Sequence, residues 1–285
     1  MYIGLLSFCY GKKDSYGLFD RADFFKNKYI KNYEIRFRTF GKERGKNMIN
    51  FYTGRPGNGK SLHMAMVIDK QLRKGKNVIA NFEINEEIYA HYKHPERLGQ
   101  FVYVPNKAFM TNSYKYTIDT NGNFRQPPKG KFSYLEGLYG FAEQFHERDY
   151  RGKIIENQTL LVLDECQEFF NPRSWNASDR LEWCSFFRQH RKLGYDVYLI
   201  SQDDKVIDKQ IRSILQYEYE HRCVNNYKLG GKLLGIMAGG KLFVCVKRMY
   251  GVKAKDSRIS SEFFTGQRKY YEYYDSYKTF AREST

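Results

Sequence analysis

The sequence predicts an α/β fold in which a mostly parallel sheet is flanked by helices, with an inserted hairpin region and a small C-terminal extension. Three observations predict it. A glycine-rich stretch at residues 54–61 lies between an apolar strand pattern and a largely apolar helix pattern. Strand and helix patterns alternate from residue 48 to about residue 224, the order that gives parallel strands joined by crossover helices. Residues 159–163 read Thr-Leu-Leu-Val-Leu, continuous rather than alternating hydrophobicity, which marks a strand covered on both faces.

The first strand is placed at Met48–Thr53, a short apolar and aromatic run, and the first helix at Ser61–Arg73, stopped near Gly75. Asn77–Glu83 supplies a second strand and Phe101–Val104 a short additional one. Lys107–Gly130 is polar, carries the hairpin turn signal Asn121-Gly122 followed by Pro127-Pro128, and reads as an insertion at about 105–132. Tyr134–Arg148 has helical spacing, with Leu135, Leu138, Phe141, Ala142 and Phe145 on one stripe that serves core packing. After the buried strand, Ser178–Leu193 reads as a helix with a serine N-cap and Gly194 as its stop. Asp196–Ser201 gives another strand, Val206–Leu215 an amphipathic helix, and Tyr217–Val224 a fifth strand.

The glycine-rich stretch is Gly54-Arg55-Pro56-Gly57-Asn58-Gly59-Lys60-Ser61 and fits the phosphate-binding pattern G-x-x-x-x-G-K-[ST] at every fixed position. Gly54, Gly57 and Gly59 permit backbone angles and close approaches that side chains block, so successive N–H groups can turn inward onto phosphate oxygens. The helix that begins at about Lys60 adds the positive end of its dipole, and Leu62 completes the binding set in its first turn. Lys60 can reach the β and γ phosphates and Ser61 can ligate Mg²⁺. The alternative is a glycine-rich turn that carries Lys-Ser by coincidence, and the flanking strand and helix argue against it. The predicted class is therefore a P-loop NTPase that uses ATP and Mg²⁺.

Five further residues bear on phosphate chemistry. Hydrolysis of a phosphate anhydride needs a held metal, a positioned water and charge stabilisation on the transferred group. Asp164 ends the buried strand about a hundred residues beyond the loop, where a carboxylate can reach the metal shell, and Glu165 follows where it can orient the attacking water. Both could instead be strand-end caps. Gln202, after the strand end Leu199-Ile200-Ser201, can sense the γ phosphate or be a simple polar terminus. Arg188 and Arg191 lie three apart on the helix before that strand, and either can serve as an arginine finger toward a neighbouring subunit or form a solvated basic face. The six histidines are scattered along the chain, so no metal site beyond nucleotide-bound Mg²⁺ is expected.

Composition adds a second line. The net charge of +16 with 17% aromatic residues suits a nucleic-acid or anionic-membrane partner, although solvated lysines account for it equally. Residues 1–47 hold 11 Lys or Arg, 5 Asp or Glu and 11 Phe or Tyr, so +6 of the charge lies there and +10 in the remainder. That block reads either as a basic aromatic arm or as translated sequence upstream of a start at Met48, since Glu43-Arg44-Gly45 can be encoded by a purine-rich ribosome-binding stretch. The domain division is thus 1–47 as N-terminal extension, 48–228 as the nucleotide-binding domain and 229–285 as an aromatic-rich C-terminal extension. Five cysteines without C-x-x-C spacing argue against a disulfide framework or zinc site and fit a reducing cytosol. Leu233–Val246 contains Lys241 and three glycines and is no convincing membrane span.

From Ile49 to Ser61, at Leu161-Val162-Leu163-Asp164-Glu165-Cys166-Gln167, and from His190-Arg191 through Gly194-Tyr195-Asp196-Val197-Tyr198-Leu199-Ile200-Ser201-Gln202, the chain resembles the zonular occludens toxin (Zot) family, which includes morphogenesis ATPases of filamentous phages. The resemblance runs from Met48 to about Tyr277. It implies an ATPase that works with phage assembly and export proteins at the cytoplasmic face of the host inner membrane to extrude virions through the envelope, and an arginine finger acting in trans would make it a homo-oligomer. It also implies that residues 54–61 bind nucleotide, that Asp164 and Glu165 carry the metal and water roles, and that Gln202 is the sensor. Family members commonly continue into a transmembrane helix and periplasmic tail, and neither is visible in this sequence. The competing expectation is a DNA-translocating or packaging motor of the same nucleotide-binding class, with single-stranded DNA as its partner. A third, a scaffold that binds ATP without turning it over, is argued against by the intact Glu165.

Overall fold

A computed structural model describes residues 49–104, 106, 134–173, 177–226, 240–252 and 256–273, with the backbone of four two-residue strands between residues 113 and 132. The expected N-terminal block therefore lies outside the described residues, as do Asn121-Gly122 and Pro127-Pro128.

β1 (Ile49–Thr53) leads through the glycine-rich loop into α1 (Lys60–Arg73), and β2 (Asn77–Ala80) and β3 (Phe101–Tyr103) follow. The insertion contributes β4 (Ser113–Tyr114), β5 (Thr117–Ile118), β6 (Phe124–Arg125) and β7 (Lys131–Phe132), in which β4 pairs with β7 and β5 with β6, both antiparallel. Next come α2 (Tyr134–Phe145), β8 (Thr159–Leu163), α3 (Ala177–Gln189), β9 (Tyr195–Ile200), α4 (Lys209–Arg212) and β10 (Tyr217–Cys223). The chain then adds β11 (Leu242–Met249), β12 (Arg258–Thr265) and α5 (Arg268–Tyr273).

The main sheet has eight strands in the order β12-β11-β10-β1-β9-β8-β2-β3. From β10 to β3 every neighbouring pair is parallel, whereas β11 and β12 extend the sheet as antiparallel strands. Residues of the expected C-terminal extension thus complete the same sheet. The signal for these two strands is weak because β12 is mostly exposed, carrying Ile259 and Phe263 outward, and lacks the apolar continuity of β8.

Alternate residues of the central strands feed opposite layers. Ile49, Phe51, Leu161, Leu163, Val197 and Leu199 pack with Leu138 of α2 and Phe186 and Phe187 of α3. Tyr52, Val78, Leu160, Val162 and Ile200 pack with Met64, Ile68 and Leu72 of α1. Double-sided burial explains the unbroken apolar run Leu160–Leu163 in β8 and the full burial of β1. Each fully buried side chain of this size contributes about 1.5–3 kcal/mol.

Two helix expectations change. The helix expected over Val206–Leu215 is a short 3-10 turn, Asp204–Val206, followed by α4. Ile207 between them is extended (ψ 144°), and the Asp208 side chain accepts from Gln210 N–H to start the second piece. Ser178 is not the N-cap of α3, which already begins at Ala177.

Candidate functional site: a phosphate-binding loop and its carboxylates

The loop follows β1 at the C-terminal edge of the parallel strands. Gly54, Gly57 and Gly59 take positive φ values of 137°, 78° and 89°. Gly54 passes so close to β10 that a Cβ there would meet the His221 carbonyl oxygen at 2.5 Å. Asn58 ties the loop to the same point, its Nδ2 donating to His221 O at 2.9 Å. Arg55, Pro56 and Gly57 are exposed, so the loop crest is open to solvent. The first turn of α1 has no side-chain cap, which leaves its N–H groups directed at the loop for an anion.

Lys60 is buried, and its Nζ donates to the Gly54 carbonyl at 2.6 Å and to Arg55 O at 3.4 Å. The ammonium is thereby folded under the loop crest, where a phosphate oxygen can replace a carbonyl as its partner. Burial lowers the Lys60 pKa, while the charges of Asp164 and Glu165 act to raise it. Ser61 is half-buried in the first turn. The Leu62 side chain packs into an apolar cluster with Cys223, Phe243, Cys245 and Phe264, so its backbone is the part turned to any ligand.

Asp164 sits at the end of β8 and is buried. Its backbone is clamped by Asn81, just beyond β2: Asp164 N–H donates to Asn81 Oδ1 at 2.7 Å, and Asn81 Nδ2 donates to Asp164 O at 2.8 Å. Asn81 Nδ2 also reaches Asn106 Oδ1 at 2.8 Å, and Asn106 Nδ2 donates to Glu168 at 2.9 Å. Glu165 takes a left-handed conformation, φ 47°, which costs a non-glycine residue about 1–2 kcal/mol. The cost is offset locally. Asp164 Oδ1 accepts from Glu165 N–H at 2.8 Å, Gln167 donates to the Glu165 carboxylate, and the buried Cys166 anchors the next turn.

The remaining expected residues fall into two places. Ser201 N–H donates to Tyr52 O at 3.0 Å, so Gln202 leaves β9 between the loop strand β1 and the Asp164 strand β8, with its side chain exposed. Arg188 is exposed in the last turn of α3, and Arg191, expected on the same helix, is exposed in the turn after it because the helix ends at Gln189; both precede β9 and hence lie at the opposite edge of the sheet from the loop. Arg191 Nη2 bonds both oxygens of Glu156, at 3.2 and 3.1 Å. Neither arginine reaches the loop of its own chain.

Two groups beside the loop were not singled out in the sequence. Asn81 carries no motif, and only its place just past the end of the strand next to β8 reveals it. His63 and His221, taken as scattered, meet under the loop with Nδ1 and Nε2 at 2.8 Å.

A parallel sheet with this loop after its strand, Lys60 beneath it and a buried acidic strand end nearby defines a P-loop NTPase. The family model described as zonular occludens toxin (Zot) matches residues 139–279. The chain is 27% identical over 240 residues to the Gene 1 protein of Enterobacteria phage fd, covering 82% of this chain and 60% of that protein. It is 29% identical over 231 residues to the Gene 1 protein of Enterobacteria phage I2-2, covering 78% and 54% respectively. The chain thus spans little more than half the length of these curated relatives. Among solved structures it is similar to the N-terminal domain of zonular occludens toxin from Neisseria meningitidis, with a TM-score of 0.44, 17% identity and coverage of 80% of this chain and 98% of that one. No helix among the described residues is long and apolar enough to cross a membrane.

Proposed function

We propose that this chain is the ATP-hydrolysing engine of filamentous phage or prophage assembly, coupling turnover to virion assembly and export through the host envelope. The observation that carries the reading is one juxtaposition: Lys60, folded under an open glycine loop, lies within the electrostatic reach of Asp164 and Glu165. Backbone N–H groups of residues 54–61 take the phosphates, and Lys60 exchanges the Gly54 carbonyl for a phosphate oxygen. Hard oxygen donors from Ser61 and Asp164 fit a Mg²⁺ ion, which supplies charge neutralisation on the phosphates when bound with ATP. Glu165 orients the attacking water and Gln202 responds to the γ phosphate. Because Arg188 and Arg191 lie away from their own loop, an arginine contribution requires a second copy, in keeping with a homo-oligomer. The setting proposed is the cytoplasmic face of the host inner membrane, beside phage export proteins.

A second reading, a DNA-translocating or packaging motor, is favoured by the +10 charge outside residues 1–47. One experiment separates the two. ATP hydrolysis is measured with and without single-stranded DNA across a salt series, and with inner-membrane vesicles carrying phage export proteins. Stimulation by the vesicles alone supports assembly and export. Stimulation by DNA, with binding that falls steeply as salt rises, supports the motor.

A further inference from the structure

Beneath the loop, three potential ligands from three elements converge: His63 in the first turn of α1, His221 on β10 and Cys245 on β11. Their nearest ligand atoms all lie within 4.8 Å of one another, and all three residues are buried. His221 and Cys245 are direct cross-strand partners in the β10–β11 ladder, so the sheet register places them on one face. α1 lowers His63 onto that face. We infer that His63, His221 and Cys245 form a binding site for a borderline-soft transition metal, Zn²⁺ in a bacterial cytosol, which pins the P-loop helix to the sheet.

The hydrogen bonds already select the ligating form of His221. Its Nδ1 faces the Thr53 carbonyl at 3.2 Å, and a carbonyl only accepts, so Nδ1 carries the proton and Nε2 presents its lone pair to His63. A histidine held by a backbone carbonyl through one nitrogen, with the other free to ligate, is the usual outer-shell arrangement of a metal site. Tetrahedral Zn²⁺ with Zn–N near 2.0 Å and Zn–S near 2.3 Å sets ligand atoms roughly 3.3–3.6 Å apart. The 2.8 Å nitrogen pair opens slightly and the sulfur closes in to meet this.

The protonation changes balance. On binding, the His63 proton shared between the two rings moves from Nδ1 to Nε2, Cys245 loses its thiol proton to solvent, and one proton leaves per metal. The bound thiolate and two neutral imidazoles then leave a net charge of +1. Glu262 is the next residue in the same cross-strand row and is exposed, and its negative charge acts on Cys245. Two nitrogens and a sulfur favour Zn²⁺ over Mg²⁺, so this site is chemically separate from the oxygen donors of the phosphate loop.

The test uses the full 285-residue chain, stripped of metal, and titrated with Co²⁺ as a spectroscopic stand-in and with Zn²⁺ against a chelating dye. One Co²⁺ per chain with tetrahedral visible bands and a thiolate-to-cobalt charge-transfer band is expected. Cys245→Ser should remove the charge-transfer band and weaken Zn²⁺ at least about tenfold, and Cys223→Ser, the neighbouring buried thiol, should leave both unchanged. His63→Asn, checked for folding by circular dichroism, gives the same loss of affinity if Cys245→Ser fails to fold. Wild-type protein that binds no metal at micromolar concentration, or binds Co²⁺ without a thiolate band, overturns the proposal. A band that follows Cys223 rather than Cys245 overturns it as well.

Discussion

Asn81 and Asp164 exchange two hydrogen bonds across neighbouring strands, at 2.7 and 2.8 Å, and both residues are buried. The amide thereby fixes the backbone where β8 gives way to the strained Glu165. Asn81→Ala leaves a buried N–H and a buried carbonyl unpaired, and a cost of about 2–3 kcal/mol is expected by urea denaturation. Turnover should fall more than ATP affinity, since the misplaced group is the carboxylate turn and not the loop. Equal loss of both would show that Asn81 is merely a packing residue.

Glu165→Gln should lower ATP turnover by at least about 10²-fold while a fluorescent ATP analogue still binds. Lys60→Ala should lose the binding itself. Turnover that survives the glutamine substitution would remove Glu165 from the water-positioning role.

Gly54 and Gly152 provide a matched comparison of loop strain. Both have positive φ, 137° and 74°, but only at Gly54 would a Cβ strike backbone, the His221 carbonyl at 2.5 Å. Gly152→Ala is expected to cost about 1 kcal/mol and Gly54→Ala about 2–4 kcal/mol, with loss of nucleotide binding in the latter alone. Denaturation and nucleotide titration of the two variants check this.

Asp69 of α1 is buried and accepts from Arg73 Nε at 2.8 Å, Tyr89 OH at 2.9 Å and Tyr270 OH at 3.0 Å. It therefore fastens α5 to the helix that follows the phosphate loop. Asp69→Leu should destabilise the fold by about 2–4 kcal/mol, because three donors lose their acceptor together. Hydrogen exchange should rise first in residues 268–273, and unchanged exchange there would rule out the latch.

Asp196 on β9 is raised to about 7, chiefly by burial, with Lys76 acting against the shift. An unfolded Asp titrates near about 4, so the folded chain holds the proton more tightly and this contribution to stability is present below about pH 4 and lost as pH rises through 7. Asp196→Asn removes the dependence. Its stability relative to wild type should therefore rise by up to about 4 kcal/mol between about pH 4 and about pH 8, measured by urea denaturation. A flat difference would exclude the shift.

The sequence alone determined the parts of this protein whose physics is local or periodic. Residues 54–61 spell out a loop because glycine spacing, a lysine and a serine must be contiguous to cradle phosphate. Thr159–Leu163 declares itself as a central strand because burial on both faces leaves no polar alternation, and Asp164 stands out as the charge that ends it. Pairing across the sheet carries no such local signature. That β11 and β12 continue the sheet, that Asn81 reaches Asp164 across 83 residues, and that His63 meets His221 across 158 residues on the face that also carries Cys245 are decided by strand register. Only the tertiary structure decided these contacts, because register depends on which distant strand completes the backbone hydrogen bonds and covers the apolar face.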